Sequence, residues 1–378
     1  MNEVILDSER QGMAKEYARI RRRLMLVDLV IAALYTILWL VTGWSIAFRN
    51  YLYELTANEW LVVAGFMVIF GGIYYLIDFP FGYYSGFMLP HRYGLSTQSL
   101  KDWFIDQLKG LFIGGILGLA VIEVIYYLLR ISPDLWWLWV GVILLFFNVI
   151  LANLAPVILF PIFFKFVPLD SEHADLVQRL MDLAAKTGTK VRGVYKFDLS
   201  RRTKAANAAM TGLGNTRRII LGDTLINEFT ADEIETVLAH ELGHHVHHDI
   251  PRGILVESVI TLGGLFVASL VLIWGVSIFG FGGVSDVAGM PLLALVVGGY
   301  GLVTMPLGNA YSRQRERRAD EFALRTTGKG AAYASALTRL ANQNLAEAEP
   351  ESWVEVLLYS HPALNKRIKM AENYQLDA

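Results

Sequence analysis

The sequence predicts a mainly α-helical, polytopic membrane protein of about six spans that also carries a smaller α+β domain. Three observations point there. Of the 378 residues, 18% are charged and 54% are hydrophobic, whereas soluble domains run about 25% charged and about 45–50% apolar. The apolar residues gather in six blocks, each long enough to cross a hydrocarbon core of about 30 Å. The polar segments between and after the last blocks keep the charge density of an ordinary globular domain. Formal net charge is −2, so no basic field calls for nucleic acid. Cysteine is absent, which excludes disulfides, thiolate zinc sites, iron–sulfur clusters and a cysteine nucleophile. Any metal must be held by His, Asp or Glu.

The blocks run Met25–Phe48, Leu61–Phe81, Leu108–Leu129, Leu135–Phe164, Ile254–Phe281 and Ala288–Ala310. The first exceeds the apolar core of a cleavable signal peptide and no small-residue cleavage site follows, so it is expected to be a retained anchor. The fourth is longer than one crossing needs and contains Pro156 and Pro161, predicting either one long tilted span or a span followed by a broken interfacial helix. Arg10, Lys15, Arg19, Arg21, Arg22 and Arg23 precede the first block, which places the N-terminus in the cytoplasm. Six crossings then put 82–107, 165–253 and 311–378 on the same side. Arg313, Arg315, Arg317 and Arg318 after the last block agree with that. Asp28, Asp78, Glu123, Asn148, Asn153 and Glu257 interrupt the blocks; they are expected either to pair within the bundle or to line a hydrated chamber. Gly110, Gly114 and Gly118 form a small-residue stripe expected to pack closely on another helix.

In the polar segments, Ser171–Thr187 reads as an amphipathic helix ending near Gly188, and Val191–Phe197 and Arg218–Leu221 read as short strands. Thr230-Ala-Asp-Glu233 is a capping box, predicting a helix from about Ala231 to Asp249. A helix from about Tyr311 to Thr326 continues the sixth block, with Gly328 as its stop.

Five of the eight histidines fall within the nine residues His240 to His248. They include His240-Glu241-Leu242-Gly243-His244, an H-E-x-x-H pattern on a helix predicted independently by its cap. Imidazoles at i and i+4 share a face and can bind one Zn²⁺, with Glu241 beside the water the ion activates. Such water reaches a pKa near about 7, and a carboxylate is suited to take its proton. A solvated helix face that spells the motif by chance is the competing reading. Catalytic zinc usually has three protein ligands. A third His at position 250 would extend the motif, but Ile250 stands there, so a carboxylate is needed. Glu316, within Arg315-Glu316-Arg317-Arg318-Ala319-Asp320, is the best placed, with an ordinary ion-paired helix as the alternative. Asp320, one turn on, can hold the free ring N–H of a zinc histidine. His248 lies one turn beyond His244, within reach of the site, but a solvated role, or one supporting a ligand from behind, suits it better.

Further stretches bear on identity. Phe81-Gly82-Tyr83-Tyr84-Ser85-Gly86-Phe87 is followed by His91-Arg92-Tyr93-Gly94. Phe160-Pro161 leads through Phe166-Val167-Pro168-Leu169, and Ser312-Arg313 precedes Glu316, Ala319 and Asp320. With the H-E-x-x-H segment, these resemble the integral-membrane zinc metallopeptidases of the type I CAAX prenyl protease family, with HtpX-type proteases as more distant relatives. The resemblance runs from about Phe79 to the end and implies that Glu316 is the third zinc ligand. It also implies that Asn207-Ala208 belongs to an edge strand pairing with the substrate backbone, which reads main chain rather than sequence. His361 and Arg367 match a motif whose members stabilise the oxyanion. Two departures stand out: Ala209 and Met210 replace the aromatic residues usual after Asn-Ala, and six blocks stand where relatives have seven spans.

The expected protein is therefore a membrane-embedded zinc metalloendopeptidase with a zincin-like α+β catalytic domain split by the last two spans. Residues 1–164 would hold four spans, 165–253 the first part of the catalytic domain, 254–310 two spans and 311–378 the second part. One Zn²⁺ would sit on His240, His244 and Glu316, with Glu241, His361 and Arg367 catalytic. The partners expected are a peptide or protein substrate, with a prenylated C-terminus as one form and damaged membrane proteins as another, and the lipid bilayer. The membrane would be a bacterial inner membrane or a eukaryotic endoplasmic reticulum membrane, with the catalytic side cytoplasmic. The competing readings are an idle zinc-stabilised membrane scaffold or chaperone, and an intramembrane site-2-type protease.

Overall fold

The structure is a computed structural model that describes residues 4–169, 171–212 and 217–374. Among them, six helices are long and apolar enough to cross a membrane. The first, α1 (Ser8–Val41), starts where Asp7 accepts hydrogen bonds from the Glu9 and Arg10 amides. It stops short of the expected Phe48 because Gly43 takes a φ of 73°, a left-handed turn that glycine adopts without penalty. The helix that follows, α2 (Trp44–Leu55), is about 18 Å long and cannot span. Next come α3 (Glu59–Arg92), α4 (Leu100–Ile131) and α5 (Trp136–Phe163). In α5 the missing N–H groups of Pro156 and Pro161 do not end the helix. It widens into a π turn at Ala155–Leu159 and runs on to Phe163, so the fourth block is one long span.

Apolar side chains point outward along the spans; Leu76, Phe112 and Val303 are 71%, 69% and 78% exposed, as suits a hydrocarbon surrounding. Inward, Trp39, Phe66, Tyr126, Trp136 and Leu272 form a buried core. The polar residues of the blocks divide. Tyr74 donates to Asp28 at 2.6 Å and Asn153 to the Val149 carbonyl at 2.6 Å, whereas Glu257 lines a cavity of about 810 Å³ with Tyr300, Thr304 and Arg315. The glycine stripe packs at one end only: a Cβ on Gly118 would meet Met67 at 3.2 Å, but Gly110 and Gly114 have nothing within 4 Å.

Arg49 pairs with Asp286 at one end of the bundle. At the other end, Arg202 binds Asp106 at 2.8 Å and Arg22 binds Glu347 at 2.9 Å, so the N-terminal stretch and the polar segments gather on one side. There, β1 (Phe166–Pro168), β2 (Val194–Phe197), β3 (Ala208–Thr211) and β4 (Arg218–Gly222) form a sheet of order β1-β2-β4-β3. The central β2–β4 pair is parallel and both outer strands are antiparallel, leaving β3 at an edge. The sheet buries Ile219 and Leu221 against α6 (Ala174–Lys186), α7 (Asp223–Glu228) and α8 (Ala231–Val246). The capping box of α8 is formed, with Thr230 Oγ1 accepting from the Glu233 amide and Glu233 from the Thr230 amide. Two spanning helices follow, α9 (Asp249–Phe279) and α10 (Met290–Thr327). The second projects beyond the spans to Gly328, whose φ of 65° ends it. The helices α11 (Gly330–Gln343), α12 (Ser352–Leu358) and α13 (Leu364–Tyr374) pack around that projection.

The contact that brings the two polar segments together is between α8 and α10. A Cβ on Gly243 would lie 3.0 Å from the Ala319 Cα and 3.3 Å from its carbonyl oxygen, so the two backbones approach as only glycine permits. Gly243→Val is expected to cost about 1–3 kcal/mol through overpacking and to lower the midpoint of thermal unfolding measured in detergent. Gly12→Ala, on a helix face with nothing within 4 Å, should hold or raise that midpoint. Equal midpoints for the two variants would refute the close-contact assignment.

Candidate metal centre

His240 and His244 share one face of α8, and the α10 projection brings Glu316 across from them. Their ring nitrogens Nε2 lie 3.2 Å apart. Glu316 Oε2 is 3.3 Å from His240 Nε2, and Oε1 is 3.3 Å from His244 Nε2. Two ligands about 2.0–2.1 Å from a tetrahedral ion lie about 3.3 Å apart, so the spacing is that of one ion's ligand shell.

The hydrogen bonds behind the triad say the same. His240 Nδ1 faces Asp320 Oδ1 at 2.8 Å and His244 Nδ1 faces Asp249 Oδ2 at 2.9 Å. Each carboxylate holds the imidazole proton on Nδ1 and leaves a lone pair on Nε2. Two imidazole nitrogens and a carboxylate then converge on one point, an arrangement that calls for positive charge between them, whether a proton or a metal ion supplies it. Glu316 Oε2 is buried and has no hydrogen-bond donor among the described residues. These residues fit a metal ion.

The fields agree. Burial disfavours charge on His240, but Asp320 and Glu316 outweigh it and push the imidazole up to about 9. Burial would raise the Glu316 carboxyl, yet His240 and His244 hold it well below the usual carboxylate range. Asp320 is likewise opposed by burial and held at about 2, chiefly by Arg367. Each ligand thus lies in a field that favours positive charge at the centre.

Arg367, on α13, is buried and grips Asp320 in a fork, Nε to Oδ2 at 2.8 Å and Nη2 to Oδ1 at 2.6 Å. Its Nη2 stands 3.8 Å from Glu316 Oε2. His361 sits on the open side, with 58% of its side chain exposed and Nε2 3.4 Å from Glu316 Oε1. Glu241 is half-buried beside the pair, and burial raises its carboxyl above the usual range. Asn207 is exposed just before β3, while Ala208 is buried within that edge strand. His248 does not approach the centre; its Nδ1 lies 3.2 Å from the His245 carbonyl.

Two further residues were not apparent in the sequence. Tyr333, on α11, donates to Asp320 at 2.5 Å and lies 3.1 Å from His240 Nδ1; nothing in its sequence surroundings marks it. Asp249 was hidden by the expectation of a helix running through it. At position i+5 it would point about 140° away from His244. The helix ends at Val246 instead, and His248 adopts a φ of 57°, turning the chain so that Asp249 comes back to His244. Arg318 and Arg315 hold Asp249 there by its side chain and carbonyl. The motif lies on α8, outside the spanning helices, which removes the premise of an intramembrane site-2-type protease.

The profile of peptidase family M48 matches residues 170–375. A second profile, described as the CAAX prenyl protease N-terminal region with five membrane helices, matches residues 3–165. In that stretch the described residues show four spanning helices and the short α2. The chain is 27% identical over 365 residues to the uncharacterized metalloprotease YhfN of Bacillus subtilis, covering 96% of this chain and 85% of that protein. It is 30% identical over 297 residues to the probable CAAX prenyl protease 1 of Schizosaccharomyces pombe, covering 78% and 62%. The crystal structure of S. mikatae Ste24p shares the fold, with a TM-score of 0.84 at 24% identity over 97% of this chain and 90% of that one. The chain belongs to peptidase family M48 and is a multi-pass membrane metalloprotease acting on peptide or protein substrates.

Removing the carboxylate behind His244 should loosen the metal without emptying the site. Asp249→Asn is expected to weaken metal affinity about 10–100-fold, measured by competition with a chromophoric chelator. His248→Gly should leave affinity unchanged and hold or raise stability, since glycine relieves the left-handed strain. Equal affinity in Asp249→Asn and wild type, or loss of metal in His248→Gly, would reverse these assignments.

Proposed function

We propose that this M48 member is a zinc metalloendopeptidase whose catalytic side faces the cytoplasm, with one Zn²⁺ held by His240, His244 and Glu316. The observation that carries the reading is the convergence of three acceptor atoms backed by Asp320 and Asp249. Two imidazoles and one carboxylate form a known donor set for catalytic zinc, and the chain has no cysteine to offer instead. The excess of arginine ahead of the apolar part of α1 and after the last crossing supports the orientation.

Zinc, when bound, supplies a Lewis acid that polarises the scissile carbonyl and acidifies water. The chain's own residues do the rest. A substrate segment lies extended along the free edge of β3 beside Asn207 and Ala208. Glu241 takes a proton from the attacking water and passes it to the leaving amine, a role for which a raised carboxyl pKa is suited. Ser360 Oγ, 2.9 Å from His361 Nδ1, donates to that nitrogen and keeps the proton on Nε2, where an exposed imidazole can meet the oxyanion. Arg367, engaged with Asp320 and buried, fixes that carboxylate and through it His240, and adds a positive field at the same oxygen. Peptide and water become a carboxylate and an amine.

The names of the relatives make a prenylated C-terminal segment the first substrate class to try. The largely apolar cavity between α4, α5, α9 and α10 supports a lipid-modified chain.

Metal analysis of wild type and Glu241→Gln should find one zinc per chain in both. Casein or labelled-peptide hydrolysis should fall about 10²–10⁴-fold in the variant, the usual contribution of a general base, and stop with chelator. Undiminished hydrolysis in Glu241→Gln would sink the base assignment. Zinc in both with hydrolysis in neither would favour the scaffold reading.

A further inference from the structure

In an antiparallel ladder, successive residues turn their backbone groups alternately to the two sides of a strand. β3 lies at the edge of the sheet, with Ala208 in register with Leu221 and Thr211 with Arg218. The Gly222 amide donates to the Asn207 carbonyl at 2.9 Å, so Asn207, Ala209 and Thr211 face β4. Ala206, Ala208 and Met210 therefore turn their N–H and C=O groups to the free edge. Ala208 and Met210 have no hydrogen-bond partner there among the described residues. At Ala206 the edge is already taken. Asn344, which caps α11, accepts from the Ala206 amide at 2.8 Å and donates to its carbonyl at 3.2 Å. One carboxamide thus makes the two-bond exchange that a neighbouring strand would make.

The clamp is itself held from several sides. Gln343 Nε2 donates to the Lys204 carbonyl at 2.7 Å and Thr224 Oγ1 to the Ala205 carbonyl at 2.8 Å, so the chain entering β3 is gripped residue by residue. Asn344 stands between that segment and the cavity under α1. The next residue, buried Leu345, takes a φ of 47° and packs on Ala14 of α1 and on Leu95. A leucine in the left-handed region is strained and persists only where its surroundings fix it. Gln11 of α1 does so, donating to the Ala346 carbonyl at 3.2 Å and accepting from the Ala348 amide at 3.0 Å. The entry of the edge strand is thus tied through Asn344 to the first spanning helix.

We propose that Asn344 is the positioning residue for the substrate backbone: by pairing with Ala206 as a strand would, it holds the Ala208 N–H and C=O, one pleat further on, in line for the peptide that adds to β3. The proposal rests on the reading that substrate lies along β3, and names the residue that sets that edge. Without the clamp Ala206 is free to twist and the Ala208 groups lose their direction. The substrate then loses the hydrogen bonds made there, while the metal ligands on α8 and α10 stay in place. A backbone hydrogen bond of this kind contributes about three- to tenfold in binding.

The test is a cycle between protein and ligand backbone, read by binding rather than turnover. Full-length Glu241→Gln protein in neutral detergent, loaded with Zn²⁺, is titrated with a fluorescein-labelled alanine–leucine hexapeptide hydroxamate, whose hydroxamate anchors on the metal and fixes the register. Its singly N-methylated versions, each lacking one N–H, are titrated in parallel. Fluorescence anisotropy should show that N-methylation at alternate residues costs about three- to tenfold, since only alternate N–H groups face β3. Adding Asn344→Ala should weaken the parent ligand by a similar factor and shrink those penalties below about twofold, with the zinc retained. Asn344→Asp, which keeps the acceptor for the Ala206 amide but sets an oxygen against its carbonyl, should do the same in a turn of unchanged shape. Gln343→Ala, which loosens the same segment at Lys204, should keep the penalties. Penalties that survive both Asn344 variants, penalties that vanish equally in Gln343→Ala, or loss of zinc from both Asn344 variants overturn the proposal. Equal binding of every N-methylated ligand when Asn344 is intact overturns strand addition and the proposal with it. Failure of the parent hydroxamate to bind overturns the metal-centre reading as well. Casein hydrolysis by the protein with Glu241 intact reports separately on the endopeptidase reading.

Discussion

The backbone contact between α8 and α10 at Gly243 and Ala319 is the constraint on which the rest of the catalytic side depends. Glu316 lies on Ala319's helix, one turn earlier, and the two histidines lie on Gly243's helix. Their Nε2–Oε distances of 3.3 Å exist only because the helix axes come this close. A side chain at Gly243 would push the helices apart, and a carboxylate moved away from the imidazoles cannot share an ion with them. Gly243 carries no chemistry within H-E-x-x-H, yet its missing side chain sets the spacing of the site.

Behind the triad stands a second layer of fixed charges that makes its geometry costly without a cation. Asp320 and Asp249 hold the histidine protons on the far nitrogens, and Arg367, Tyr333 and Arg318 hold the carboxylates. These groups come from four helices: α9 supplies Asp249, α10 Asp320 and Arg318, α11 Tyr333 and α13 Arg367. The buried network is satisfied outward and unsatisfied inward, so the strain is directed at one point. Arg367 also links the metal side to the cavity under α1, where Arg22, Glu347 and Tyr359 tie the first spanning helix to the loop that carries His361.

The bilayer shapes the remainder. The spans expose large apolar residues because no aqueous solvent penalises them there, and their inner core is built from aromatic rings around Trp39 and Phe66. Their polar residues are handled in two ways, by pairing as Asp28 does with Tyr74, and by facing a cavity as Glu257 does. The Gly110-Gly114-Gly118 stripe shows why a sequence pattern alone is a weak guide in a membrane. Spacing placed the three glycines on one face, but only Gly118 has a neighbour to pack against.

What the sequence determined by itself was everything carried by local spacing or by long apolar runs. The six spans were visible because hydrocarbon demands about 20 apolar residues in succession. The helix of the motif was visible through its capping box, and the two histidines through their i, i+4 spacing. The likeness to a family supplied Glu316 as the third ligand where spacing left it an even choice. The tertiary structure decided what depends on chains far apart in sequence. It ended α1 at Gly43, carried α5 through its prolines by a π turn, and ended the motif helix at Val246. It turned Asp249 back through His248, and it placed Tyr333 where no local pattern points. The physical reason is the same each time: a helix period reports which residues share a face, but only packing reports what that face meets.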